Sequence, residues 1–404
     1  MLRFLTSGES HGKGLIAMVE GFPAGLDVDV EKINDELFKR QQGYGRGARQ
    51  KIERDQAVVM SGVRHGTTTG APISLVIENK DWENWLDVMS TTPIDLTDSA
   101  IAEKMAKKLI KHFRPGHADL AGTIKYGHDD IRDVLERASA RETAARVAAG
   151  ALCQQLLAAF GIKVSSHVIQ VGSVKAELKE YDNLADLDAD IADSELFCAN
   201  QKSAEEMKEF IKKTWTEGDS LGGVIEVLAD GLPVGLGSYT QWDRKLDGRL
   251  AQALMSIQAM KAVELGDGMT ASGLKGSQVH DALYPSAGEL PFKRVTNRAG
   301  GLEGGMTNGE RLVARVFMKP IPTLLRGLDS VSYPDFKAHK ADYERSDVCA
   351  IAAASVVARA MVAITLAGAF LDKFGGDSIS DIRHSYENYR TKLRVGANAR
   401  SDSD

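Results

Sequence analysis

The sequence is poor in residues that cross-link or stiffen a chain. Its three cysteines, Cys153, Cys198 and Cys349, are widely separated and form no CxxC pair, and only 10 of the 404 residues are proline. An odd number of dispersed cysteines is typical of reduced thiols, which excludes a disulfide scaffold, and so few prolines exclude a proline-rich linker protein. We therefore expect a cytoplasmic protein whose stability comes from a packed core.

Three further absences narrow the class of protein. The nine histidines are scattered and no HxxxH spacing occurs, so we expect no metal site. The net charge of −6 does not indicate nucleic-acid binding. We also expect neither a signal peptide nor a membrane span, because charges interrupt residues 1–30 and Arg359 interrupts the most apolar run, 348–371.

The sequence does contain helix and strand patterns with glycine-rich segments between them. Residues 30–40 are apolar at helical spacing and begin with acids and end with bases, as the helix dipole favours. Residues 141–160 and 348–374 are apolar nearly all round, which is typical of helices buried between sheets. Further helices are predicted over 99–112, 204–215 and 248–263, and strands over 57–63, 73–77, 164–174, 223–229 and 311–318.

The segment GESHG, residues 8–12, combines two reactive side chains with flanking glycines. The glycines would leave Ser10 and His11 accessible at the end of a strand, and histidine is the natural proton donor near neutral pH. A capping or surface role is the alternative, and a serine–histidine hydrolase is a rival. Against the hydrolase, adjacent residues rarely act as nucleophile and base, and no G-x-S-x-G elbow occurs.

Two other segments join cations to a turn or a helix start. In 113–119 a Pro–Gly turn would hold Arg114 and His117 on its two sides, although a turn histidine bonded to Asp119 is the alternative. In 137–143, Ser139 can cap the following helix in a capping box, while two arginines would add positive charge for an anion at the helix N-terminus.

A basic segment and a lone aspartate complete the candidate site. Residues 40–54 carry five cations and one acid, so they can bind an anion even on an acidic protein, unless they form a solvated basic loop. Asp347 stands before the second buried helix, where it either caps the helix or serves as a base whose charged form the dipole favours.

Taken together, these segments resemble the chorismate synthase family. The shared stretches follow one another in the family's order, and include GESHG (8–12), GYGRGARQKIERD (43–55), SGVRHGTTTGAPI (61–73), the run from HFRPGHADLAG to ETAARVAAGA (112–151), LMSIQAMKAVELGDG (254–268), GGLEGGMTNGE (300–310), KPIPTL (319–324) and RSDVCAIAAASVVARAMVA (345–363). A chance match over this length and order is very improbable.

The resemblance implies a fold and a reaction. The fold would be α+β, a β-α-β sandwich with buried helices between antiparallel sheets, as one domain over 1–397 with a disordered tail over 398–404. The reaction would be a trans-1,4 elimination of phosphate from 5-enolpyruvylshikimate 3-phosphate, giving chorismate in the shikimate pathway of aromatic amino acid biosynthesis. It implies reduced FMN as cofactor, NADPH or an external flavin reductase as reductant, and a homotetramer.

The resemblance also implies roles for individual residues. His11 would protonate the departing phosphate, His117 would donate toward the flavin, and Asp347 would accept the C6 proton, directly or through flavin N5. The positions that would contact flavin are Arg137, Ala138, Ser139, Gln258, Ala259, Gly304, Lys319, Pro320, Ile321, Pro322, Thr323 and Arg345. The positions that would bind the polyanionic substrate, or NADPH in the case of Arg40 and Arg46, are Ser10, Arg40, Arg46, Arg49, Arg114 and Arg141, with Arg345 as a further cation for the substrate.

The chain departs from the family pattern at a few positions. Ala138 stands where a serine is common, which removes a hydroxyl near the predicted flavin site. Ile351–Ala352 replaces a usual Val-Pro, and Arg359 replaces a usual acid in the last buried helix. These changes bear on flavin contacts and helix packing. The two rivals to the lyase are a serine–histidine hydrolase or phosphatase, and a flavin-binding protein without catalysis.

Overall fold

The computed structural model describes residues 1–46, 54–288, 290–341 and 347–398. Its strands are β1 Arg3–Ser7, β2 Gly14–Glu20, β3 Ala57–Ser61, β4 Val63–Arg64, β5 Thr67–Thr68, β6 Ile73–Glu78, β7 Lys163–Val171, β8 Val174–Lys175, β9 Gly223–Asp230, β10 Met260–Leu265, β11 Leu283–Pro285, β12 Phe292–Arg294, β13 Leu302–Glu303, β14 Met306–Thr307, β15 Leu312–Met318, β16 Asp329–Val331 and β17 Ala338–Lys340.

The α-helices are α1 Val30–Gln41, α2 Ser99–Lys108, α3 Asp119–Tyr126, α4 Arg132–Ala138, α5 Thr143–Ala158, α6 Leu184–Ala192, α7 Gln201–Thr216, α8 Leu246–Met255, α9 Gly268–Ala271, α10 Gly276–Val279, α11 Ile351–Phe374 and α12 Ile379–Asn398. Short 3₁₀ helices span Lys80–Trp85, Ala140–Glu142 and Trp242–Arg244.

Local sequence explains where the main elements begin and which face they bury. α1 begins after Asp29, whose carboxylate accepts backbone N–H groups of the first turn and so satisfies donors that a helix start leaves open. In β6, Ile73, Leu75 and Ile77 are buried while the residues between them are more exposed. This period of two gives the sheet one covered face.

Two antiparallel sheets enclose a layer of helices. The four-stranded sheet has the order β1-β2-β6-β3, and the five-stranded sheet has the order β10-β15-β9-β7-β8. α5 packs against the first sheet and α11 against the second, and the two helices pack on each other. Gly150 allows this approach, because a Cβ there would lie 2.4 Å from that of Ala360. The predicted sandwich with buried helices is confirmed.

The main hydrophobic core runs through this layer without interruption. It includes Leu15 on the first sheet, Leu152 on α5, Phe370 on α11 and Val227 on the second sheet. Among the described residues, α11 is the one helix long and apolar enough to cross a membrane, but most of it is buried inside the protein. It is therefore the core helix that the interruption by Arg359 predicted.

The helix predicted over 248–263 needs correction, and most of the predicted tail falls outside the described residues. The helix predicted over 248–263 ends at Met255, because Ala259 adopts a left-handed backbone (φ +66°) and the chain continues as strand β10. α12 was not predicted from the sequence. Of the tail predicted to be disordered, 398–404, Asn398 is the last residue of α12 and the remainder lies outside the described residues.

Candidate active site

His11 lies in the turn between β1 and β2, against α4. Its backbone N–H donates to Glu136 Oε2 at 2.8 Å, and its Nδ1 lies 2.9 Å from Glu136 Oε1. The imidazole stacks on Trp85 with ring centroids 3.9 Å apart. Arg132, one turn earlier on α4, donates to the same Glu136 carboxylate at 3.0 Å. The predicted proton donor is thus held in a defined orientation.

Ser10 and Ser139 connect this histidine to the start of α5. Ser139 Oγ donates to Ser10 Oγ at 3.2 Å and accepts the backbone N–H of Arg141 at 3.3 Å. Ser139 therefore caps the short 3₁₀ helix Ala140–Glu142 that leads into α5, whereas the sequence predicted that it would cap α5 itself. The Glu142 carboxylate turns elsewhere, accepting hydrogen bonds from other segments, so the complete capping box does not form.

Arg141 is the most informative cation of the cluster. Its Nε donates to Asn79 at 3.0 Å and its Nη1 to Asp55 at 2.6 Å. Its Nη2 is buried and has no hydrogen-bond partner among the described residues. Buried donors are nearly always satisfied in folded proteins, so an open guanidinium nitrogen here is typical of a group that binds an anionic ligand.

Arg40 and Arg46 extend the cationic cluster to Asp347. Arg40 lies 3.7 Å from the Asp55 carboxylate, and Arg46 Nε donates to Asp347 at 3.2 Å while its Nη1 donates to the Arg40 carbonyl. Burial, together with the nearby Arg141 cation, lowers the pKa of Arg40 to about 9, so this side chain stays charged at neutral pH. The Gly45 carbonyl accepts the N–H of the residue after Asp347, which fixes the two segments together.

The Pro–Gly turn holds a second histidine with a buried carboxylate. His117 Nδ1 lies 2.5 Å from Asp119 Oδ1, and Arg114 donates to Asp119 through Nε at 2.8 Å and Nη2 at 2.9 Å. Burial raises the pKa of Asp119, but the hydrogen bonds from His117 and Arg114 outweigh it and lower this pKa to about 2. The turn-histidine interpretation and the functional interpretation of His117 are both compatible with this geometry.

Two predicted flavin positions, Arg137 and Gln258, meet at the Glu142 carboxylate. They begin a row of contacting residues, continued by Ala259 and Lys319, that we call the arc. Arg137 donates to the Thr6 and Gly8 carbonyls at 2.9 and 3.1 Å and lies 4.0 Å from Glu142. Gln258 Nε2 donates to the same carboxylate at 3.2 Å. Gln258 Oε1 is buried without a partner among the described residues, so this amide also has an unused acceptor.

The arc continues from Gln258 to the His117 turn. The Ala259 carbonyl accepts the Lys319 N–H at 2.9 Å, and Lys319 Nζ donates to the Gly116 carbonyl at 2.5 Å. In the following segment the Ile321 carbonyl accepts from Ser220 at 2.6 Å, and Thr323 is buried. Pro320 and Pro322 belong to the same segment, so five predicted positions, 319–323, lie beside the turn.

One predicted position stands apart from this arrangement, and two others are not described by the structure. Gly304 lies in the β13–β14 turn, and the carbonyl of its neighbour Gly305 accepts a hydrogen bond from the first residue of α8. Gln258 lies just beyond the other end of that helix. A ten-residue helix is about 15 Å long, so Gly304 is not brought to the arc within one chain. Arg49 and Arg345 lie outside the described residues.

The family departures have visible surroundings. Arg359 is buried in α11 and pairs with Glu36 of α1. Burial raises the pKa of Glu36, but its ion pairs with Arg359 and Lys39 outweigh burial and lower this pKa overall. Ile351 and Ala352 are fully buried at the start of α11. Ala138 is half-buried before Ser139. The Arg359 charge is therefore compensated within the core.

Sequence reasoning missed the groups that hold the predicted residues. Glu136, Asp55, Asn79 and Trp85 all contact candidate site residues, yet none belongs to a pattern that indicates chemistry. A signal that could have found Glu136 is its spacing of four residues from Arg132, which predicts a pair on one helix face. The other three come from distant segments and carry no local signal.

Comparison with known proteins shows which family this chain resembles. The sequence profile of the chorismate synthase family matches residues 2–371. The chorismate synthase of Geobacter sulfurreducens is 52% identical over 403 residues, covering 98% of this chain and all of the relative. That of Bacillus subtilis is 50% identical over 393 residues, covering 97% of this chain and all of the relative. A crystal structure of a chorismate synthase, 42% identical, superimposes with a TM-score of 0.78 and covers 98% of each chain.

Proposed function

The chain belongs to the chorismate synthase family, and from this premise we propose how its own residues carry the reaction. Its activity is that of a carbon–oxygen lyase of the shikimate pathway, the elimination of phosphate that gives chorismate. The substrate we propose is 5-enolpyruvylshikimate 3-phosphate, which carries two carboxylates and a phosphate. Its conversion needs a site that binds several negative charges, supplies a proton to phosphate and removes one from carbon.

One observation carries this proposal: an unbroken path of contacts joins His11 to Asp347 through the arginine cluster. The path runs from His11 to Glu136, then through Ser10 and Ser139 to Arg141, and on to Asp55, Arg40, Arg46 and Asp347. This continuity supports our assignment of an acid, an anion-binding surface and a base to one site. This combination is what a phosphate elimination requires.

The arginines bind the substrate in this proposal. Arg141 offers the unused buried Nη2, and Arg40 and Arg46 are held beside it by carboxylates. Guanidinium groups bind carboxylate and phosphate oxygens through paired donors, and partial burial strengthens such contacts. Ser10 and Arg114 supply further donors at the two ends of the site, and we propose that Arg49 and Arg345 contribute from their segments.

His11 and Asp347 take the proton-transfer roles. His11 donates its proton to the oxygen of the departing phosphate, which removes negative charge from the leaving group. Asp347 accepts the proton from C6 of the ring. Arg46 Nε lies 3.2 Å from Asp347 Oδ2, and this contact holds the carboxylate in a fixed position within the proposed site.

Reduced FMN is the cofactor we propose, and the residues present fit it. Gln258 has a buried unused acceptor, the neighbouring Ala259 has a left-handed backbone, and Arg137 provides a partly exposed cation. When bound, reduced flavin supplies electron density that helps phosphate leave. Ala138, Ser139 and the 319–323 segment line the same arc, and His117, held by Asp119, orients a donor toward it. Gly304 joins this set only if a second copy of the chain contributes it.

The source of the flavin's electrons has two candidates. Arg40, which is buried, and Arg46, which is half-buried, also suit the 2′-phosphate or pyrophosphate of NADPH, since guanidinium groups bind phosphate oxygens through paired donors. The same two residues bind the substrate in our proposal, so NADPH and substrate would compete. An external flavin reductase avoids this competition, and we propose it as the working reductant in the cytoplasm.

We propose that the chain assembles as a homotetramer. The outer face of the four-stranded sheet supports self-association, because it carries exposed apolar side chains with no cover within the chain among the described residues. Leu5 faces Met18 across β1 and β2, and Ile16 faces Val76 across β2 and β6. A second copy of this face would bury these side chains.

The proposed function is tested by anaerobic turnover with chemically reduced FMN. Chorismate and phosphate should form in equal amounts with reduced FMN, and neither should form with oxidised FMN or without flavin. Phosphate release without flavin would instead indicate the hydrolase. Flavin binding with unchanged substrate would indicate a flavin-binding protein without this catalysis.

A further inference from the structure

The proposed acid, His11, is held by one buried carboxylate at two points. Glu136 accepts the His11 backbone N–H at 2.8 Å through Oε2 and lies 2.9 Å from the ring Nδ1 through Oε1. The Glu136 side chain is 1% exposed, and the two residues are 125 positions apart in sequence. A contact that fixes both the backbone and the ring determines where the second ring nitrogen points.

Other groups around His11 restrict the ring further. Trp85 stacks on its face, and Lys108 lies 3.8 Å from the centroid of the Trp85 ring. Trp85 itself is anchored through its indole N–H to Asp81 at 2.9 Å. Of the charged groups in this region, Glu136 contacts the imidazole, Arg132 contacts Glu136, and Asp81 and Lys108 contact Trp85. Glu9 and Lys13 belong to the same loop as His11.

The second site histidine has a different environment. His117 Nδ1 also meets a buried carboxylate, Asp119, but Arg114 Nη2 lies 3.1 Å from the same ring nitrogen. At His11, Arg132 Nη1 donates to the Glu136 carboxylate at 3.0 Å, so the carboxylates that hold the two histidines are each paired with an arginine.

We propose that Glu136 is a positioning residue for the acid step, which holds the proton of neutral His11 on Nδ1 and directs Nε2 toward the leaving phosphate. This rests on the proposed role of His11. In the step, the Nε2–H bond breaks, the proton passes to the phosphate oxygen, and His11 becomes neutral with Nδ1–H donating to Glu136. The hydrogen bond that one ring nitrogen makes sets which nitrogen carries the proton in the neutral ring.

The charge of Glu136 agrees with this role. Burial raises its pKa, but the hydrogen bond and charge of His11, with Arg132, outweigh burial and leave the pKa below its ordinary value. Glu136 is therefore ionised at neutral pH. An ionised carboxylate stabilises the imidazolium that the acid step needs, in the way that the aspartate of a catalytic triad stabilises its histidine.

The pH–rate profile of Glu136→Gln tests the proposal, measured anaerobically with reduced FMN. Without the negative charge, the imidazolium is less stable, so the alkaline limb should move to lower pH and kcat should fall about tenfold or more. Glu136→Asp should recover part of the rate. The matched control is Glu226→Gln, because Glu226 is a buried glutamate that contacts His167 at 3.0 Å and Arg315 at 2.7 Å on the five-stranded sheet. It should lose stability without moving the profile.

A double variant separates positioning from a merely structural effect. If Glu136 acts through His11, Glu136→Gln should cost little further rate in a His11→Ala background. Equal costs in both backgrounds, or an unshifted alkaline limb, would overturn the proposal. An inactive wild-type protein would instead overturn the proposed function.

The wild-type protein without flavin provides an independent readout that needs no Glu136 variant. Nitrogen-15 histidine NMR, with His11 assigned by its loss in His11→Ala, should show neutral His11 as the Nδ1–H tautomer. The Nε2–H tautomer would contradict the proposal even if Glu136→Gln failed to fold.

Discussion

At the scale of single residues, His11, Arg141 and Asp347 are held by partners distant in the sequence, whereas His117 is held by its near neighbour Asp119. The sequence indicated His11, His117, Asp347 and the arginines through local motifs and family resemblance. It did not indicate Glu136 or Asp55, because their roles depend on contacts across large sequence separations. Residue type and spacing predict which groups are reactive, while the fold alone determines what supports them.

Replacing His11 by alanine should lower turnover with pre-reduced FMN by roughly 10²- to 10⁴-fold, the usual contribution of a general acid. Substrate affinity should change much less. Steady-state kinetics under anaerobic conditions check this result. The control is His65→Asn, at an exposed histidine in the β4–β5 turn with a left-handed backbone that asparagine tolerates. Near wild-type turnover in His11→Ala would remove this residue from the acid role.

Asp119→Asn should destabilise the protein at neutral pH and reduce its sensitivity to acid. The Asp119 pKa is lowered from 3.8 to about 2, so its charge contributes stability that is fully present above pH 4 and is lost as the pH falls toward 2. The contribution at pH 7 is about 2 kcal/mol. Urea unfolding between pH 7 and 2 measures it. An unchanged free energy of unfolding at pH 7 would contradict this account.

At the scale of secondary structure, helices with buried faces were easier to predict than their ends. The segments around α5 and α11 were recognised because they are apolar on all sides, which only a buried position explains. The end of α8 was missed, because the pattern of apolar and polar residues in 256–263 does not indicate that Ala259 leaves the helical conformation. Tertiary contacts of β10 with β15 decided that boundary.

The close contact of α5 with α11 predicts opposite effects for two helical glycines. Gly150→Ala should destabilise by about 1–3 kcal/mol, because the new Cβ would lie 2.4 Å from Ala360 Cβ and 2.6 Å from its Cα. Gly248→Ala on α8 should stabilise by up to about 1 kcal/mol, since the nearest atom to its Cβ lies at 3.9 Å. Chemical denaturation measures both. Equal effects at the two positions would contradict the packing described here.

At the scale of the whole molecule, two sheets and their helices bring distant segments into one site. The sequence predicted a sandwich through its family resemblance, but strand order within each sheet had no local signal. In the four-stranded sheet, β6 lies between β2 and β3, so the chain leaves the sheet and returns. The same sheet leaves its outer face exposed, which connects the fold to the proposed assembly.

A tetramer of four 43.7 kDa chains should sediment with a mass of about 175 kDa. Met60→Lys should shift this mass toward smaller species, because Met60 is 65% exposed at the edge of the apolar sheet face and a charge there opposes burial. Leu96→Lys is the matched control, at an exposed apolar residue outside the sheet. A tetramer that survives Met60→Lys unchanged would exclude this part of the face from the interface.

The most direct test of the central claim is Asp347→Asn, since the claim is that one connected cluster from His11 to Asp347 performs the elimination. The variant should fold and bind both reduced FMN and substrate, measured by difference spectroscopy, while anaerobic chorismate formation falls at least 10²-fold. Turnover close to wild type would contradict the account. Loss of folding would also contradict it, because Asp347 would then be a helix cap and not the base.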